Sequence, residues 1–288
     1  MMGKNFFLIA MLISSMFLGQ NKNNPTDKIR LIQKAGSARS LEGKALQVNI
    51  FISLDKNKTW SRKGKEQVLQ ILPESETWLK RELGLYGHTM DIRNKNFGID
   101  RDIILKSNPD VDAKDYGWPN EAIKQMGYNS LIDFYDDLKS KNDFDQMYIV
   151  FFINGQGQPY ANPCDISFKE GDEDDSFVEY AAIFSSFDEV PITDKSQHYL
   201  VPHEILHLFG ALDLYESEHQ TKKTEEFAVD HLTESVMLGS IRFVEEDSQQ
   251  WNLKKYKIDE FNAYIMRLHN NYKSWYDTLS KKLARTYD

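Results

Sequence analysis

His203-Glu204-Ile205-Leu206-His207-Leu208-Phe209-Gly210-Ala211-Leu212-Asp213 places two histidines four residues apart, with a glutamate directly after the first. On a helix such residues share one face, so both imidazoles can reach a single metal ion. Glu204, next along the helix, can face a water at that ion. Two neutral nitrogen ligands, with a carboxylate that takes the water's proton and later passes it to a leaving amine, are the mechanics of an HExxH hydrolase. Gly210 lies where a helix can end on a residue of positive φ and the chain can turn back. Asp213 follows three residues later, and such a turn can bring its carboxylate under the imidazoles, with a fourth position left for water.

The run HExxHxxGxxD resembles the signature of the metzincin metallopeptidases, whose third ligand is His or Asp. The Asp form is similar to the snapalysin and immune-inhibitor-A branches. Ser235-Val236-Met237 looks like their Met-turn, and the motif resemblance covers Pro202 to Leu238. It implies one catalytic Zn2+ held by His203, His207 and Asp213, with Glu204 as general base and then acid, acting on a protein or peptide substrate. It also implies an α+β fold: a mixed, mostly parallel sheet with packed helices in an α/β-like upper lobe (45–210), and a smaller, mainly helical lower lobe (211–288). Two positions depart from the simplest pattern. Pro202 precedes the first histidine, so the helix either starts there with Pro in its first turn or is kinked. Gly239 stands two after the methionine, where some metzincins carry a catalytic tyrosine, so no such tyrosine is assigned.

A rival exists for the third ligand. Glu226, with Asp230 four residues on, resembles the glutamate ligand and supporting aspartate of gluzincins of the thermolysin type. Asp213 has the advantage that Gly210 and Met237 are explained by the same reading. Beyond the choice of ligand stand two other functions: a secreted binding protein with a structural zinc, and a zinc hydrolase acting on something other than peptides. An unliganded Glu204 has no use in a structural site, and the motif specifies chemistry, not substrate.

The N-terminus reads as a secretory signal peptide over 1–19, with Lys4 before the apolar run Phe6 to Leu18. A permanent anchor would need about 20 apolar residues. The expectation is therefore a secreted chain with no stable membrane insertion after cleavage. A net charge of −9 without a basic block argues against nucleic acid as a partner. Cys164 is the sole cysteine, which excludes an intramolecular disulfide and a cysteine-built metal site. It reads as a small buried hydrophobe. The acidic run Glu170 to Asp175 has carboxylates that suit calcium but no recognised loop spacing, and reads as a solvated surface loop.

Residues 20–44 are polar without a clear period and read as a linker or short leader, ahead of a catalytic domain over 45–288. Leu46, Val48, Ile50, Ile52 and Leu54 alternate with polar residues as a first strand. Ser61 or Ser75 can cap one helix or two up to Gly84, with Pro73 starting or kinking the second piece. Thr89 to Asn94 is a weaker strand, and helical patterns follow around 121–126 and 130–139. Met147 to Ile153 has no polar break and predicts a strand buried on both faces. Gly155 to Pro163 alone reads as a loop; the resemblance implies an edge strand that pairs with substrate, with 238–247 bordering the pocket beyond the scissile bond. Phe177 to Phe184 predicts a strand leading into the site helix. Ile258, Phe261, Ile265, Leu268, Tyr272, Trp275, Leu279 and Leu283, at steps of three and four, predict one long amphipathic C-terminal helix. His198, five before His203, is turned off the metal face and reads as surface or capping; His88, His231 and His269 have no partner at ligand spacing.

Overall fold

The computed structural model describes residues 24–32, 36–57, 59–107, 109, 117–164, 175–217, 219–239 and 253–285. The signal-peptide reading, residues 170–174 of the acidic run and 240–247 of the pocket border lie outside them.

A mixed, mostly parallel seven-stranded sheet forms the centre of an α+β fold. Strands β1 (Gly43–Ser53), β2 (Met90–Phe97), β4 (Gln146–Gln156) and β6 (Tyr180–Phe187) run parallel in the order β2-β1-β4-β6. β3 (Ile103–Ile104) continues beside β1, while β5 (Tyr160–Asn162) and β7 (Val190–Pro191) are antiparallel to β6. The unbroken run Met147 to Ile153 occupies β4, flanked by β1 and β6, and every residue in it is buried, as its composition predicts. β5 closes one edge of the sheet.

Each sheet face is covered. One packs Val48, Ile50, Ile149 and Phe151 against α3 (Gly117–Gln125) and α4 (Leu131–Lys141). The other packs Phe51, Tyr148, Val150 and Ile183 against α2 (Arg62–Leu85) and the site helix α5 (Leu200–Leu208). This second face also buries the polar half of β1's alternation. Tyr148 donates to Gln47 Oε1 at 3.0 Å, Gln47 to Asn49 at 2.9 Å, and Asn49 Nδ2 to Asn94 and Asn96 at 2.9 and 2.8 Å. The amides satisfy one another, so the helix can cover them at little cost.

α2 is a single helix. Ser61 caps it through Gly64 N–H at 3.0 Å, Pro73 sits inside it, and Ser75 is buried mid-helix. The C-terminal expectation is corrected: there are two helices, α7 (Glu260–Ile265) and α8 (Tyr276–Ala284). Arg267, at φ 68°, ends the first. The apolar spacing persists across the break because both helices bury Phe261, Ile265, Leu279 and Leu283 in the same core.

The linker reading also gives way to an element, since Pro25–Ile32 forms α1. Thr26, fully buried, donates to Asp277 Oδ1 at 2.7 Å and meets Ser280 Oγ at 2.9 Å, while Arg30 reaches His269 O at 3.1 Å. At eight residues α1 spans barely two turns, too few to stand out as a period, although Ile29 is buried in the core. Cys164 is half-buried, and its N–H donates to Glu179 at 2.8 Å. Among the described residues no helix is long and apolar enough to cross a membrane.

Candidate metal centre

α5 is short and almost wholly buried between the sheet and the C-terminal elements. Pro202 lies in its first turn, where a backbone N–H has no intrahelical partner, so the proline is accommodated without a kink. The helix ends at Gly210, φ +97°, with Gly210 N–H donating to His207 O at 2.9 Å and Ala211 N–H to Leu206 O at 3.0 Å. This reversal aims the following residues back under the helix.

His203 and His207 each place Nδ1 against a backbone carbonyl, Val236 O at 3.0 Å and Ala211 O at 2.8 Å. A carbonyl only accepts, so Nδ1 carries the hydrogen and each Nε2 presents its lone pair. The two Nε2 atoms are 3.3 Å apart, and Asp213 Oδ1 lies 3.3 Å from each. Asp213 Oδ1 is buried without a hydrogen-bond donor of its own. Three electron-rich atoms face one point, an arrangement that calls for a cation or a proton. Without a cation the protons respond: burial alone would lower the His207 pKa, but the Asp213 carboxylate outweighs it and pushes it up to about 9. Burial would likewise raise Asp213, yet the two histidines hold it far below the carboxylate range.

Glu204 is buried beside this triangle, with Oε1 set back 3.9 Å from His203 Nε2. Burial raises its pKa. Among the described residues, His203, Glu204 and His207 form a group that can hold a metal ion, with ligand atoms all within 4.8 Å of one another.

The Ser235–Met237 turn sits directly against these groups. Val236 O holds His203, Leu214 N–H donates to Met237 O at 3.0 Å, and Met237 is fully buried. Glu226 and Asp230 are exposed on α6 (Lys222–His231), and the carboxylate that meets the imidazoles is that of Asp213. His198 is off the metal face as expected, but it is buried, with Nδ1 2.7 Å from Glu74. His88 pairs with Glu42 at 3.4 Å, His231 stacks on Phe227, and His269 meets Glu260 O.

Tyr215 is the residue that sequence reading passed over. Its ring lies parallel to His203, at 6.5 Å between centroids and 14°. Burial and the neighbouring carboxylates keep that phenol protonated. A Cβ built on Gly239 would stand 3.3 Å from the Tyr215 ring, so this tyrosine fills space that a side chain at 239 would enter. Its sequence signal is its place two residues after Asp213, on the same turn that follows Gly210. Tyr215, Tyr199, Leu200, Phe187, Gln158, Pro159 and Gly239 line a pocket of about 130 Å³ that opens onto His203 and Glu204. No protein-family model and no curated protein matches this chain.

Proposed function

We propose that this chain is a secreted zinc-dependent metalloendopeptidase of metzincin type. The observation that carries the reading is the triangle of His203 Nε2, His207 Nε2 and Asp213 Oδ1, each pair 3.3 Å apart. Donors held about 2.0 Å from a tetrahedral ion stand about 3.3 Å from one another, so the triangle matches one face of such a site. Two imidazoles and one carboxylate suit zinc, whereas calcium needs about six or more oxygens. A zinc ion at these ligands supplies Lewis acidity, polarising a scissile carbonyl and acidifying a water.

The chain's own residues do the rest. His203 and His207 are locked in the ligating tautomer by Val236 O and Ala211 O. Tyr215 lays its ring parallel to His203, and its phenol stays protonated beside the Asp213 and Glu204 carboxylates. Glu204, buried and with a raised pKa, takes a proton from the attacking water and delivers it to the amine that leaves. The pocket beside it, walled on one side by Phe187, Tyr199 and Leu200, shields one side of the reaction from bulk water. The position of β5 at the sheet edge favours an extended peptide as substrate.

The test is zinc content and casein cleavage of the chain purified from residue 20 onward, before chelation, after it, and after zinc is restored. The reading expects about one zinc per chain and activity that follows the metal. Zinc without any peptide cleavage would make this a structural-zinc protein, and no bound zinc would end the metal-centre reading.

A further inference from the structure

We infer that Asn262, Asp259 and Ser235 form a buried template that sets the positions of Asp213 and His203, so that metal affinity is governed from α7. The inference rests on the metal-centre reading above. Asp213 is pinned through both neighbours in the chain. Leu212 N–H donates to Asn262 Oδ1 at 2.7 Å and Asn262 Nδ2 donates to Leu212 O at 3.1 Å, while Leu214 N–H donates to Met237 O at 3.0 Å. Pairing both backbone groups of one residue with one amide fixes its position and its rotation, as a strand partner would.

The path continues without a gap. Asn262 Nδ2 also donates to Asp259 Oδ2 at 2.9 Å, Ser235 Oγ donates to the same oxygen at 2.6 Å, and Met237 N–H donates to Ser235 Oγ at 3.1 Å. Between Ser235 and Met237 lies Val236, whose carbonyl orients His203. One network therefore holds the backbone on either side of Asp213 and the carbonyl behind His203. The orientation of the Asn262 amide follows from its partners, an N–H on one side and two oxygens on the other. Asn262 is fully buried, Ser235 is 1 % exposed and Asp259 7 % exposed. Water competes little at such sites, and a misplaced group would be left unpaired.

The chemistry singles out asparagine. Aspartate would lose the donor to Leu212 O and face Asp259 with a second carboxylate, and leucine would lose every contact.

The test measures Zn2+ affinity, by competition with a chelating dye, in wild type, Asn262→Ala, Ser235→Ala and a control, Ser280→Ala. Ser280 is equally buried but bonds Thr26 of α1 and Tyr276 O. Co2+-loaded samples report coordination through their visible absorption. The template predicts a ten- to hundredfold weaker Zn2+ affinity and altered Co2+ bands in Asn262→Ala, and a smaller weakening in Ser235→Ala. Ser280→Ala should lose urea stability and keep wild-type affinity. Unchanged affinity in folded Asn262→Ala overturns the inference and leaves the metal centre standing; if that variant does not fold, unchanged affinity in Ser235→Ala does the same. Wild type that binds no Zn2+ overturns both the metal-centre reading and the inference.

Discussion

Nε2 of His203 and Nε2 of His207 stand 3.3 Å apart because each ring is turned by its other nitrogen, toward Val236 O and Ala211 O. The helix supplies the shared face, and the two carbonyls, one on the Ser235–Met237 turn and one just past Gly210, supply the orientation. Neither contact is visible in the spacing of the histidines alone.

Among the described residues Glu204 has no hydrogen-bond donor that would explain a buried carboxylate as structure, its near neighbour being His203 Nε2 at 3.9 Å. Replacing it with Gln keeps its size and removes the base. The expected outcome is a fall in kcat of about 10²- to 10⁴-fold with zinc content unchanged. Metal analysis and steady-state kinetics on one preparation check it, and loss of metal in this variant would contradict the assigned role.

Tyr215→Phe keeps the ring against His203 and over Gly239 and removes only the phenolic hydroxyl near the Asp213 carboxylate. Metal affinity or kcat should drop about 10- to 100-fold, the range for groups that surround a metal's ligands. Urea midpoints should barely move. Zinc titration with parallel kinetics separates the two effects.

α1 is part of the fold, and Thr26 is its anchor. Thr26→Val preserves the shape and leaves Asp277 and Ser280 without that partner, so unfolding free energy should fall by about 1–3 kcal/mol. Cleavage activity should persist. Urea denaturation checks the first outcome, and a casein assay the second.

Glu179 gives a pH signature away from the metal. It accepts Ala38 N–H at 2.6 Å and Cys164 N–H at 2.8 Å, yet burial outweighs these bonds and pushes its pKa from 4.5 up to about 8. The folded chain then keeps a proton that the unfolded chain has released. Stability should therefore fall as pH rises from about 4.5 to about 8 and level off above. In Glu179→Gln that slope should vanish, even though the variant starts less stable for want of one acceptor. Urea midpoints across this window check it.

Much of the architecture was legible in the residues themselves. The continuous apolar run of β4, the alternation of β1 and the stop at Gly210 each report a local requirement, and the structure places each accordingly. What escaped depends on partners distant in sequence. α1 is stabilised by Asp277 and Ser280, some 250 residues away. The amides of Gln47 and Asn49 are covered because Tyr148, Asn94 and Asn96 satisfy them. The C-terminal break at Arg267 leaves no trace in a hydrophobic period that both helices share. At the site, the meeting of His203, His207 and Asp213 follows from their spacing and the turn at Gly210, whereas the surroundings of Tyr215 and Asn262 arise only in the folded chain.

The most direct measurement is zinc content and casein cleavage for Asp213→Ala and Glu226→Ala, side by side with wild type. Asp213 Oδ1 is 3.3 Å from both imidazole nitrogens and Glu226 is exposed on α6. The account predicts that Asp213→Ala alone loses zinc and cleavage, while Glu226→Ala keeps both. Loss of both in Glu226→Ala, with Asp213→Ala intact, would contradict it and make Glu226 the third ligand.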